Sequence, residues 1–342
     1  GIRIEREVHG PLFEKRKAAY GLLQDKKVAI IEMAEVAGLT LVPQAQRDPE
    51  ITTTFGVGEL ILDALDRGCG TIILGIGGSS TNDGGIGMAQ ALGIRFLKKD
   101  GTLVLPGKGA LDLGEILQID DRGLDPRVRQ TKFIVACDVK NPLTGPEGAT
   151  RVYGPQKGGT RSQLERLEKG MKSYGKLMEE AYGKGIGSIE GSGAAGGLGA
   201  AAVAYLGAEL RPGIDVVIEY TGLKEKLMDA SLVITGEGCT DRQTLCGKVP
   251  FGIGELAKAQ GVSCICISGG LGEGYEKLYE HGISGIFAIP DRPMTLEESM
   301  ERAAELLEER SYGIGGLIVA STRNWRPSPF TWRRKGSRNR PF

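Results

Sequence analysis

Short apolar runs recur along this chain, and most of them end in turns rich in glycine. Val28-Ala-Ile-Ile-Glu-Met33, Thr71-Ile-Ile-Leu74 and Phe133-Ile-Val-Ala-Cys137 read as buried strands. Ile2-Arg-Ile-Glu-Arg-Glu-Val8 alternates apolar and charged residues, as a strand with one wet face does. Helical patterns lie between these runs. Residues 52–66 carry an apolar stripe at Leu60, Ile61, Ala64 and Leu65, with Thr54 placed to cap the helix. Residues 162–182 have helical spacing and a heavily charged outer face, and a small-residue helix runs up to Leu206. In the last third, Leu232-Val-Ile-Thr235, Cys264-Ile-Cys-Ile-Ser268 and Ile286-Phe-Ala-Ile289 are β-rich, and residues 250–260, 274–280 and 295–309 are helical. This alternation predicts an α/β protein with parallel sheets flanked by helices and right-handed crossovers. The boundary between two lobes is expected within 211–230.

The length of 342 residues agrees with two domains. Hydrophobic residues make up 40% and charged residues 25%, an ordinary globular balance. The 54 glycines follow no period, which excludes collagen, and they cluster after apolar runs, where α/β proteins bind ligands. Forty-three basic and 43 acidic residues cancel, which argues against a general nucleic-acid surface. One local exception exists: no Asp or Glu follows Glu309, while eight Lys and Arg do. Six Cys without a CxxC pair and only two His argue against a zinc site and for reduced thiols in a cytoplasmic protein. No apolar run approaches the roughly 18 residues of a membrane span, and no signal peptide is visible.

The most informative stretch is Gly75-Ile-Gly-Gly-Ser-Ser-Thr-Asn-Asp-Gly-Gly-Ile-Gly87. A strand precedes it and a helix opens after it at Met88, and strand, glycine loop and helix in that order form an anion-binding turn. Three more polar clusters follow apolar runs: Asp138 with Asn141, Gly154-Pro-Gln-Lys-Gly158, and 236–248 with Glu237, Asp241 and Lys248. Ligands of open α/β sheets bind outside the carboxyl ends of strands, so these clusters are expected to converge. Their chemistry suits phosphoryl transfer, which needs donors and cations on phosphate oxygens, carboxylates for Mg²⁺ and a carboxylate near the attacking hydroxyl. Plainer readings stand beside this one. Asp83 in an Asn-Asp-Gly turn is also a common turn former. Asp138 also suits a turn cap, Lys157 alone reads as a surface lysine, and the glycines at 193–199 also suit a tight packing contact. No Walker A, protein-kinase, GxSxG or dinucleotide fingerprint is present.

Taken together and in order, these segments resemble the type 1 glycerate kinases. The resemblance rests on Thr52-Thr-Thr-Phe-Gly-Val-Gly-Glu-Leu60, Gly75 to Gly87, Ala136-Cys-Asp-Val-Lys-Asn-Pro-Leu143 and Gly154 to Gly158. It continues through Gly193-Ala-Ala-Gly-Gly-Leu-Gly199, Glu209-Leu-Arg-Pro-Gly213, Thr235-Gly-Glu-Gly238 and Gly247-Lys248, spanning about residues 8 to 310. It implies ATP-dependent, Mg²⁺-assisted phosphorylation of D-glycerate in a cleft between a Rossmann-like domain and a second α/β domain. The domains expected are 1–215 for the second α/β domain, 216–312 for the Rossmann-like one, and 313–342 for a disordered basic tail. Three departures stand out. The family's opening Asp-Ser-Phe-Lys and its Asp-Gly-Gly-Glu-Gly-Thr do not occur, so the first strands of the Rossmann-like domain are expected to be missing. Cys239-Thr240-Asp241 stands where the family usually has Arg-Ile-Asp or a similar triplet. After about Ser311 the likeness stops.

On this reading Asp241 is the first choice for the carboxylate that assists attack, Asp83 the second, and Lys248 neutralises the transferred phosphoryl group. Asp138 and Glu237 help to hold Mg²⁺. The loop with Gly77, Gly78, Ser79, Ser80 and Asn82 binds phosphate or the glycerate carboxylate, together with Lys157, Gly196 and Gly197. The expected partner is a small hydroxy acid, with no nucleic acid and no membrane, and a homodimer is left open. The alternatives are an inactive, truncated remnant and a kinase of another small hydroxy acid.

Overall fold

The computed structural model describes residues 1–322. The chain divides into two compact units, Gly1–Gly222 and a second beginning at Leu223. The boundary expected at 215 falls inside the helix Gly213–Thr221, and the division comes where that helix ends.

The first unit is built on a six-stranded sheet. Its strands are β1 (Ile2–His9), β2 (Lys15–Leu23), β3 (Val28–Glu32), β4 (Thr71–Gly75), β7 (Lys132–Ala136) and β8 (Glu209–Arg211), side by side in that order. A small antiparallel ribbon, β5 (Arg95–Lys98) and β6 (Ile116–Asp120), lies apart from it. The sheet is mixed rather than parallel throughout: β1, β2 and β3 pair antiparallel, and β3, β4, β7 and β8 pair parallel. Alternation places Ile4 and Val8 of β1 inside and leaves Arg3, Glu5 and Glu7 wet. Ala29, Ile31, Ile72, Leu74, Phe133 and Val135 alternate into one core with Val57, Leu60, Ile61 and Ala64 of the helix Phe55–Asp66. The other sheet face buries Val28, Ile73 and Ile134 against Val216. Both faces are covered, which is why these strands read as unbroken apolar runs.

Register fixes the functional edge. Glu32 pairs with Gly75, Gly75 with Ala136 and Ala136 with Arg211. The segments that start at Met33, Ile76, Cys137 and Pro212 therefore leave the sheet side by side at its carboxyl edge.

The second unit holds a parallel sheet in the order β11 (Ile283–Ala288), β10 (Ser263–Leu271), β9 (Leu232–Thr240). Cys264 and Cys266 are buried on one face, and Ile265 and Ile267 pack with Leu306 and Ile314 on the other. The helix Val249–Gln260 connects β9 to β10 and buries Ile253 and Ala257. Strand β9 runs past the turn expected at Gly236, because Gly236 is a close-approach glycine: a Cβ there would stand 2.4 Å from the Ile267 carbonyl oxygen. The helix expected at 274–280 is a 3-10 turn, Tyr275–His281. The one expected at 295–309 is two helices, Leu296–Glu301 and Ala303–Thr322. Residues 313–322 of the segment expected to be a disordered tail are therefore helical, and the rest of that segment lies outside the described residues.

Candidate functional site

The glycine loop leaves β4 and turns back across the carboxyl edge of the first unit. Its carbonyls are held from inside. Leu39 N–H donates to the Gly78 oxygen at 2.8 Å, and Thr52 Oγ1 donates to the Ser80 oxygen at 2.9 Å. Ser80 is itself tied to the Ala37 oxygen, through its amide at 2.8 Å and its hydroxyl at 2.9 Å. Gly77 and Gly78 are exposed at the tip, and Gly77 faces open space where a Cβ would stand. Among the described residues, the amides of Gly77, Gly78 and Ser79 donate to no protein acceptor. Successive unpaired N–H groups on one exposed turn form a concavity suited to an anion.

Asp83 lies beneath that tip and is fully buried. Its Oδ2 accepts from Thr54 N–H at 2.8 Å, Thr54 Oγ1 at 2.9 Å and Gly87 N–H at 3.3 Å, and its Oδ1 accepts from Gly85 N–H at 3.1 Å. Burial raises its carboxyl pKa, against the lowering effect of these donors. Thr54 thus does not cap its own helix: its hydroxyl donates to Asp83 and accepts from Met88 N–H at 3.0 Å. One carboxylate in this way joins the start of the helix Phe55–Asp66 to the turn that opens the helix Ile86–Ala91.

Lys157 is not the surface lysine that its sequence neighbourhood suggests. Its side chain is 1% exposed, and Nζ donates to the Thr81 oxygen at 2.6 Å. Burial pushes the ammonium pKa down to about 7, against the raising effect of the Asp83 charge. Asn82 is equally buried, with Nδ2 on Thr150 Oγ1 at 3.0 Å and Oδ1 without a partner. Gly196 and Gly197 serve close packing: Gly84 N–H donates to the Gly196 oxygen at 2.9 Å, and a Cβ on Gly196 would stand 2.1 Å from the Thr81 oxygen. Of the loop residues expected to bind, Gly77 and Gly78 lie exposed at the rim, and Ser79 next to them is buried. Ser80, Asn82, Asp83, Lys157, Gly196 and Gly197 form the interior that holds the rim in place.

Asp138 follows β7 and accepts from Gly213 N–H at 2.8 Å, at the start of the helix Gly213–Thr221. The acidic side chain there complements the positive end of that helix.

In the second unit, Glu237, Asp241 and Lys248 gather at the carboxyl end of β9. Thr244 links them, because its hydroxyl donates to Glu237 Oε1 at 2.6 Å and accepts from Asp241 N–H at 3.1 Å. Asp241 caps the short turn Arg242–Cys246 by accepting Gln243 N–H at 2.8 Å on Oδ1. Thr244 N–H also donates to the Asp241 side chain, closing a capping box. Lys248 Nζ stands 4.0 Å from Asp241 Oδ1, and Lys248 is the N-cap of the helix Val249–Gln260, whose positive end adds to its charge. Ser268 within β10 is buried, and its hydroxyl meets that of Thr240. Among the described residues, no group of three or more His, Cys, Asp and Glu gathers as a metal cage, and no helix is long and apolar enough to cross a membrane.

The sequence model of the glycerate kinase family matches residues 1–319. The chain belongs to the glycerate kinase family. A glycerate kinase of Halalkalibacterium halodurans is 50% identical over 321 residues, which cover 94% of this chain and 83% of that protein. The glycerate 2-kinase of Escherichia coli is 43% identical over 317 residues, 93% of this chain and 83% of that one. A solved structure assigned as glycerate kinase 2 of Salmonella typhimurium is similar with a TM-score of 0.84 at 43% identity, covering 94% of this chain and 84% of that chain. As a glycerate kinase family member the chain is a phosphotransferase, and the kinase family implies ATP as the phosphate donor.

Sequence reasoning missed Thr54, Thr81, Thr244 and Ser268 as organising residues. The signal for Thr244 was present in its place three residues after an acidic N-cap, the spacing of a capping box. The roles of Thr54 and Thr81 have no local signal, because their partners are 29 and 76 residues away.

Proposed function

We propose that the chain is a type 1 glycerate kinase that transfers the γ-phosphoryl group of ATP to a hydroxyl of D-glycerate. Family membership across residues 1–319 carries this reading. The acceptor assigned is the 2-hydroxyl, supported by the name of the Escherichia coli relative, a glycerate 2-kinase at 43% identity.

In the first unit, the unpaired amides of Gly77, Gly78 and Ser79 receive an anionic oxygen without any side-chain charge. In the second unit, Asp241 is the assigned base. Its Oδ2 takes the proton of the attacking hydroxyl as the oxygen–phosphorus bond forms and the bond to the leaving ADP breaks. Gln243 N–H holds its Oδ1, and Lys248 Nζ stands 4.0 Å from that oxygen. Lys248 and the helix start beside it offset negative charge on the phosphoryl oxygens.

Mg²⁺ is commonly held by one or two carboxylates together with substrate phosphates rather than by a protein cage, and that fits a site edge offering single carboxylates. Asp138 is the carboxylate assigned to this role in the first unit and Glu237 the one in the second, and an ion when bound would supply charge neutralisation at the phosphates. Thr244 keeps Glu237 in place.

The test is an ADP-release assay with D-glycerate, with the product identified by coupling to enolase, which accepts 2-phosphoglycerate directly. Glycerate-dependent ADP release with immediate enolase turnover is expected. No release with D-glycerate, or equal rates with other small hydroxy acids, overturns the assignment.

A further inference from the structure

Lys157 was a natural choice for a residue that touches phosphate, yet it reaches no surface. It ends the 3-10 turn Pro155–Lys157, and its ammonium is committed to one loop carbonyl, that of Thr81. The turn packs directly on Arg47: Gly158 has φ +91, and a Cβ there would stand 2.2 Å from the Arg47 oxygen. The other side of the same loop is fixed just as firmly, by Leu39, Thr52 and Ala37 on Gly78 and Ser80. In a planar trans peptide the N–H points opposite to the preceding carbonyl. The held Gly78 oxygen therefore turns Ser79 N–H the other way, and the held Ser80 and Thr81 oxygens likewise set the amides of Thr81 and Asn82, so the inner end of the loop that carries Gly77 and Gly78 is fixed. A buried amine is an expensive way to hold a carbonyl, and a neutral packed side chain would cost less. The charge faces Asp83 from the loop, and Arg47 lies on the segment packed against Gly158.

We propose that Lys157 is a positioning residue for acceptor binding. It acts through the Thr81 carbonyl to hold the loop so that the amides of Gly77, Gly78 and Ser79 meet the carboxylate of the hydroxy acid. This rests on the glycerate kinase reading, and turnover of the unaltered chain is measured in parallel so that the two can fail separately.

The experiment compares Lys157→Met with the unaltered chain. A rise of about 10-fold or more in KM for D-glycerate is expected, the size of one or two loop-amide hydrogen bonds lost to the substrate, with KM for ATP within about 2-fold. The melting temperature is expected to change little, since losing the costly buried amine offsets the Thr81 carbonyl left without its donor. A merely structural lysine would lower the melting temperature and leave the KM values alone, and that result overturns the proposal. A second measurement does not depend on the variant folding. Amide resonances of Gly77, Gly78 and Ser79 in the unaltered chain are expected to shift on adding D-glycerate alone, and unmoved resonances refute the assignment.

Discussion

Asp83→Asn separates a structural carboxylate from a catalytic one. The carboxylate accepts five hydrogen bonds at 2.8–3.4 Å, four of them on Oδ2 and one on Oδ1. An Asn placed there keeps its oxygen on the Thr54 and Gly87 side and turns its NH₂ toward Gly85 N–H. Two donors then face each other in an interior that water does not reach. Each unsatisfied buried donor costs about 1–3 kcal/mol. Removing a buried charge returns part of this, because burial raises the Asp83 pKa. A net loss of about 3 kcal/mol is expected, which lowers the melting temperature by about 6–12 °C for a unit of this size. Thermal denaturation followed by circular dichroism measures it, with kinetics on the same sample well below the transition. If the variant melts with the unaltered chain while kcat falls by about 10² or more, Asp83 acts in the chemistry and the scaffold argument is wrong.

Three further outcomes are expected. Asp241→Asn keeps a good N-cap, so the melting temperature stays within about 2 °C while kcat falls by about 10² or more; near-normal turnover refutes the base assignment. Gly196→Ala places a side chain at φ +68 with its Cβ 2.1 Å from the Thr81 oxygen, and a loss of about 3 kcal/mol or more is expected in denaturant titration. Gly207→Ala is its control, since φ is +62 there but the space is open, and it should lose only about 1 kcal/mol. The pH dependence of stability follows from Lys157, whose folded pKa of about 7 lies below the ordinary lysine value of 10.5. Between these values the unfolded chain carries the proton and the folded chain does not, so this group makes stability rise with pH across that window. Lys157→Met should flatten the rise in urea titrations at pH 7 and pH 9, and an unchanged slope contradicts the burial of a charged amine.

Much of the fold was legible in the sequence because its signals are local. β3, β4, β7 and the core of β10 are apolar runs whose two faces are both covered, and the long helix Arg161–Tyr182 shows its Thr160 capping box and its charged face. β2 was not legible. Lys15-Arg-Lys-Ala-Ala-Tyr20 begins with charge and continues with weak strand formers, and only pairing with β1 and β3 makes it a strand. Glycine misled in one direction only. At Gly236 it marked a close strand contact rather than a turn, because a residue type chosen for its missing Cβ does not say which need it meets.

What the sequence determined by itself was the chemistry available at each strand end: the glycine loop after β4, Asp138 after β7, and Glu237 near the end of β9 with Asp241 and Lys248 beyond it. Its ordered motifs also carried the family. What only the tertiary structure decided was which of these groups face solvent. Asp83 and Lys157 are charged residues in polar turns, and nothing local distinguishes them from Asp241 and Lys248. They are interior because the segment before the helix Phe55–Asp66 and the glycine turn at Gly196 close over them, through partners far away in the chain. Burial is a property of the packed unit and not of the residue. The same carboxylate and the same amine therefore hold a loop in one place and face solvent in another.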